Sequence, residues 1–178
     1  MGSPLKQPSA KLIIGLIGSD IGLFGAVKKL LQGKFGLAES ESPVFEFNHT
    51  RYYEDEFGPG LKRVFIAYRK TVPLSRHHRI KLYTNRLEKK LSSSGKRRVN
   101  IDPGYLELSN LTLLTTKPRS NRVHLDSGIY AEVELEFAQN SFRPLAWTYP
   151  DYRTKNYIDF FNSVRRGLLD QTREARIP

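Results

Sequence analysis

Read for the spacing of apolar side chains, the chain opens with a continuous run, Leu12 to Gly18, of the length of a buried strand. Ser19 or Asp20 caps a helix with Leu23, Val27, Leu30 and Leu31 on one face, and Gly33 and Gly36 supply its stop. Two β-rich runs follow, Val44 to Tyr53 and Leu61 to Lys70; the turn Gly58-Pro59-Gly60 between them predicts a hairpin. Pro73-Leu74-Ser75 opens a second helix, in which Ile80, Leu87 and Leu91 recur at helical spacing until Ser92-Ser93-Ser94-Gly95 ends it. Val99 to Ile101 is a candidate short strand, Asp102-Pro103-Gly104 reads as a turn, and Asn110 to Lys117 as a further strand. The resulting order, βαββαβ, matches the ferredoxin-like motif.

A second hairpin follows, with Leu125 and Ile129 flanking a three-residue loop, Asp126-Ser127-Gly128. Pairing Leu125 with Ile129 also pairs Val123 with Ala131, and sets His124 opposite Tyr130 and Arg122 opposite Glu132 on the other face. Glu134 and Glu136 extend that polar face, which reads as solvated sheet or as part of a site. Pro144 and Pro150 punctuate a loop before a final helix, where Tyr157, Phe160, Phe161, Val164 and Leu168 form an apolar stripe.

With 178 residues, 39% of them hydrophobic, the chain is long enough to bury one core. The expected architecture is α+β: a loose tail over residues 1–10, then a single domain over 11–178 with a mixed or antiparallel sheet and two to three packed helices. The absence of cysteine excludes disulfides and thiolate metal sites. The apolar run at 12–18 is too short to cross a bilayer and carries no cleavage signature, which predicts a cytoplasmic protein without a transmembrane segment. A net charge of +11 favours anionic partners, from phosphorylated metabolites to RNA.

The glycines of GLIGSDIGLFG, residues 15–25, raise the question of a phosphate loop. A P-loop needs a lysine and a hydroxyl at a fixed offset, and a dinucleotide fingerprint needs G-x-G-x-x-G; neither spacing occurs, so strand, tight turn and helix is the plain reading. Histidine spacing supports no zinc site, and no G-x-S-x-G elbow is present.

The segments TRYYEDEFG, IKLYTNRLE, RRVNIDPGYLEL, TTK, GIYAEVELEF and TYPDYRTKNYIDFF, taken in this order, resemble the prokaryotic family called domain of unknown function 4416, from about Lys11 to Gln171. The resemblance implies no established activity. Members sometimes carry the label "GTP-binding protein", which implies a guanine nucleotide; a GTPase would need an Asn-Lys-x-Asp reader, and the nearest segment here is Thr116-Lys117-Pro118-Arg119. After Thr115-Thr116-Lys117, Asn121 stands where the family pattern has histidine, which removes a general acid at that place.

The same segments mix acids, bases and tyrosines near element ends. Tyr53 precedes Glu54, Asp55 and Glu56, carboxylates suited to Mg²⁺ held jointly with substrate phosphates or to a solvated hairpin tip. Lys81, Asn85 and Glu88 follow i, i+4, i+7 and share one helical stripe. Strand alternation aims Arg98, Asn100 and Asp102 the same way, and Tyr149, Asp151, Tyr152 and Arg153 fall together in the loop before the last helix.

Two functions follow. In the first, a cleft binds a phosphate-bearing ligand, a nucleotide or an RNA end, with Mg²⁺ as a candidate cofactor. Tyr53, Lys81, Asn85, Arg98, Asn100, Thr116, Lys117, Arg122, Tyr130, Tyr149, Asp151, Tyr152 and Arg153 would bind it, and Glu54, Glu56, Glu88, Asp102 and Glu132 would supply metal binding or acid–base work. In the second, a non-catalytic RNA- or ribosome-binding module uses Lys96, Arg97, Arg165 and Arg166. A third reading leaves these motifs as fold-securing contacts alone.

Overall fold

The computed structural model describes residues 9–50 and 53–174 of the chain. Nine strands form one sheet: β1 Ser9–Gly18, β2 Ala38–Glu41, β3 Phe45–Glu46, β4 Lys62–Pro73, β5 Asn100–Leu106, β6 Asn110–Thr115, β7 Val123–Asp126, β8 Ile129–Ala138 and β9 Ser141–Pro144. The helices are α1 Ile21–Phe35, α2 Glu54–Phe57, α3 His77–Lys90 and α4 Lys155–Glu174, with 3₁₀ turns at Leu74–Arg76 and Asp151–Arg153 leading into the last two. Residues 1–8 of the expected tail lie outside the described residues, and Ser9 and Ala10 already belong to β1.

The strand order is β2-β4-β1-β5-β6-β8-β7, with β3 added to β4 and β9 to β8, and every pair is antiparallel. This sheet is larger than the sequence suggested. The strand beside β1 is β5, not the Asn110 run, which lies one place further out as β6. β1 is covered on both faces, which is why it reads as an unbroken apolar run. Leu12, Ile14 and Leu16 meet α1 and α3, through Leu23, Phe24, Val27, Leu31, Ile80 and Leu87. Ile13 faces the other way, with Phe65, Leu135, Phe142 and the α4 stripe of Tyr157, Phe160, Phe161, Val164 and Leu168.

Several local expectations change. Gly33 lies inside α1, which Gly36 ends at φ 89°. The first hairpin shrinks to the two-residue β3 against Arg63 and Lys62, and the three acids after Tyr53 form α2 instead of a strand tip. The polar strand β2 sits at an exposed edge, where no apolar alternation marks it. In the second hairpin Val123 pairs with Ala131 and His124 with Tyr130, but Asp126, not Leu125, opposes Ile129. The loop therefore tightens to Ser127-Gly128, both at positive φ, as a two-residue turn of the primed kind demands.

The largest correction concerns Asp102-Pro103-Gly104, which is no turn but lies in β5. A side chain at Gly104 would put its Cβ 2.5 Å from the Thr112 carbonyl oxygen, so glycine lets β6 close on β5 there. Pairing of β5 with β6 covers residues 104–106 and 111–113 only. Pro103 has no N–H to offer, so the ladder stops beside it. Before that point β5 stays with β1 while β6 stays with β8, and the sheet forks.

Candidate functional site

The fork opens a cavity of about 590 Å³, lined by strands, by α3 and by the segment before α4. Its inner wall is the unpaired edge of β5. There Glu88 of α3 accepts the Ile101 N–H at 2.6 Å on Oε1, and Lys81 Nζ donates to the Ile101 carbonyl at 3.3 Å. Two helical side chains thus satisfy the backbone groups that a neighbouring strand would have paired. The i, i+4, i+7 stripe of Lys81, Asn85 and Glu88 reaches the cavity for this reason.

The floor is a set of buried ion pairs. Arg63, 4% exposed, donates to Asp151 at 3.0 Å and stands 3.8 Å from Asp102, with its guanidinium over Phe47, Phe65 and Tyr152. A Cβ at Gly15 would lie 2.6 Å from Arg63 Nη1, so this opening glycine makes room for a cation instead of cradling a phosphate. Asp20 caps α1 by accepting from the Leu23 N–H at 3.1 Å. Lys81 also donates to Asp102 at 3.4 Å, and Asn100 Nδ2 donates to the other Asp102 oxygen. Arg97 grips Glu56 through Nε and Nη2 at 2.8 and 2.6 Å, and donates from Nη1 to Glu88 and Asn100, each at 3.0 Å. That guanidinium holds the Glu56 carboxyl below its ordinary pKa, whereas burial raises the pKa of Glu88.

The outer wall comes from β6, β8 and the loop beyond them. Arg122 donates to Glu132 at 2.8 Å, to the Lys117 carbonyl at 2.8 Å and to the Tyr149 hydroxyl at 2.7 Å. Asn121 donates to the second Glu132 oxygen, so both carboxylate oxygens are engaged. Next along β8, Glu134 accepts from the Tyr149 N–H, and burial pushes its pKa up to about 8. The expected solvated face of Glu132 and Glu134 is therefore buried, beneath residues 145–152; Glu136 alone of the three is exposed. Exposed Thr116, Lys117 and Arg119 follow β6 at the rim.

Among the residues singled out from sequence, Tyr53, Lys81, Asn85, Glu88, Asn100, Asp102, Thr116, Lys117, Glu132, Tyr149, Asp151 and Tyr152 line this one cavity. Six do not. Arg98 is exposed and pairs with Asp20 at 2.8 Å, because β5 begins at Asn100 and strand alternation does not extend back to it. Glu54 faces solvent on α2, and Glu56 stands behind Arg97. Arg122 backs the wall, and Tyr130 meets the His124 ring at 5.2 Å away from the cavity. Arg153 binds the carbonyls of Leu145, Ala146 and Thr148, which makes it a clamp on its own loop. Arg63, Arg97 and Arg119 line the cavity without having been anticipated there. Of the cations assigned to an RNA-binding surface, Arg97 is held by carboxylates and Arg165 by the Leu108 carbonyl at 2.7 Å.

Among the described residues no group of three or more His, Asp or Glu side chains is placed to hold a metal ion, and no helix is long and apolar enough to cross a membrane. The chain matches the family model for Domain of unknown function (DUF4416) over residues 8–167, nearly its whole length, and belongs to that family. No curated protein and no solved structure matches it.

Proposed function

We propose that the chain binds a phosphate-bearing ligand, a nucleotide or an RNA end, in the cavity at the fork of the sheet. The observation that carries this reading is convergence: polar side chains from β4, α3, β5, β6, β8 and residues 149–152 surround one recess of about 590 Å³. That volume suits a small ligand. Lys117 and Arg119 bring two cations to its exposed rim. Of the carboxylates, Asp102 is a quarter exposed, whereas Glu88, Glu132 and Asp151 are almost wholly buried, so Asp102 is the acid a ligand meets. A Mg²⁺ ion would enter on the ligand's phosphates and keep several of its waters. The scaffold beneath the site is read as a ferredoxin-like core: β5-β1-β4-β2 are neighbours in that order, with α1 and α3 on one face.

Thermal shift against nucleotides and sugar phosphates, with and without Mg²⁺, tests the reading. A stabilised wild type, a shift reduced in Lys117→Ala and Arg119→Ala, and an unchanged shift in Arg98→Ala are the expected results. No shift with any phosphate compound, or equal loss in all three variants, refutes it.

A further inference from the structure

The charges around the cavity are sorted by depth. At the floor every cation is engaged: Arg63 by Asp151 and Asp102, Lys81 by Asp102, Arg97 by Glu56 and Glu88. Three cations there face Asp102, Asp151 and Glu88, with Glu56 behind Arg97, so with all acids ionised the floor offers no uncompensated positive charge. A phosphate dianion pushed to that depth meets carboxylates and no cation left over to hold it. At the rim the order reverses: Lys117 and Arg119 are exposed there, whereas the carboxylates of the lining lie deeper. Arg119 forms no ion pair with another described residue.

From Asp102 at the floor to Thr116 at the rim, the lining also holds groups that suit neutral hydroxyls. The Asp102 carboxylate is partly exposed and keeps lone pairs beyond those used by Lys81 and Asn100. The Asn85 amide and the Thr116 hydroxyl line the cavity and make no side-chain hydrogen bond with another described residue. An acceptor carboxylate, an amide and a hydroxyl together match a group that both donates and accepts, which is what a sugar hydroxyl does. A carboxylate's two oxygens also accept from vicinal hydroxyls, as acidic residues do on ribose.

Resting on the phosphate-binding reading above, we infer that the ligand is a phosphorylated sugar with a free cis-diol, the ribose 5-phosphate unit. Its hydroxyls go inward to Asp102 and Asn85, and its phosphate stays at the rim by Lys117 and Arg119. This orientation fits a free sugar phosphate and equally the last nucleotide of an RNA, whose 2′,3′-diol is free and whose 5′ phosphate continues outward.

Isothermal titration of the full chain with ribose 5-phosphate, 2-deoxyribose 5-phosphate, ribose and inorganic phosphate tests it. Ribose 5-phosphate is expected to bind about tenfold more tightly than its deoxy counterpart, the worth of one hydrogen bond to a charged acceptor. Asp102→Asn should remove most of that preference while leaving inorganic phosphate unaffected, and Arg119→Ala should bring ribose 5-phosphate down towards ribose. Equal binding of the deoxy sugar by the wild type overturns the diol assignment and leaves the phosphate site standing, whereas absence of binding by every phosphate compound removes the site itself. The wild-type comparison stands even where a variant fails to fold. An RNA hexamer with a 3′ diol, set against the same hexamer carrying a 3′ phosphate, separates the two sources: tighter binding of the diol form than of ribose 5-phosphate assigns the chain end, and the reverse assigns the free sugar.

Discussion

Replacing Glu134 by glutamine should change how stability depends on pH. The side chain is fully buried on β8; Oε1 accepts the Tyr149 N–H, and Oε2 has no hydrogen-bond partner among the described residues. Burial, then the Glu132 and Asp151 carboxylates, raise its pKa to about 8, against the lowering effect of the Tyr149 hydrogen bond and Arg122. In the unfolded chain the same group titrates near 4.5. Between those values the folded state holds a proton that the unfolded state has lost, so the stability this group contributes is complete below about pH 4.5 and falls until about pH 8. At about 1.4 kcal/mol per pH unit the loss is on the order of 3–5 kcal/mol.

Glutamine keeps an acceptor for Tyr149 and cannot ionise, so Glu134→Gln should match the wild type near pH 5 and exceed it above pH 8. Urea unfolding of both proteins across that range measures the gap. His77 slopes the other way, because burial, reinforced by His78, pushes its pKa down to about 4, and its contribution grows as pH rises from about 4 to 6.5. Both proteins share that slope, and it cancels in their difference. A gap that stays constant from pH 5 to pH 8.5 refutes the assignment of a buried, protonated Glu134.

At the unpaired edge of β5, Glu88→Ala strands the Ile101 N–H and should cost about 2–4 kcal/mol, whereas Glu88→Gln keeps an acceptor and should cost about half as much. Equal losses in urea unfolding would show that the charge alone matters. Gly104→Ala drives a Cβ against the Thr112 carbonyl and the Leu113 side chain, and should lower stability by about 1–3 kcal/mol in thermal melts. Gly25→Ala in α1 meets nothing within 4 Å and should raise it by about 0.5–1 kcal/mol; a fall there would show that α1 is more crowded than its surface suggests.

The parts of the fold that periodicity governs were legible. α1, α3 and α4 follow their apolar stripes, save that Leu30 of α1 is exposed, and Val123 with Ala131 and Arg122 with Glu132 follow from hairpin alternation. β2 escaped because an exposed edge strand has no face to keep apolar. β5 was half hidden because Asp-Pro-Gly carries turn chemistry, used here to end a ladder instead of reversing the chain. The cavity's polar stripe on α3 was visible, but Arg63 was not, since it sits within the apolar run of β4. The available signal was its place on the same face as Phe65 and Ala67, two residues along β4 from Phe65, the residue that pairs with Gly15 of β1. Arg97 looked like part of a solvated basic run because its partner Glu56 lies 41 residues away.

The forked sheet has a mechanical side. Only three residue pairs, 104 with 113, 105 with 112 and 106 with 111, stitch β6 and everything paired beyond it to the first five strands. Helix α4 spans that narrow seam like a splint, touching Ile13 and Phe65 on one leaf and Leu135 and Phe142 on the other. Trimming the splint would slacken the seam and reshape the cavity at the fork, although no residue of α4 borders the opening.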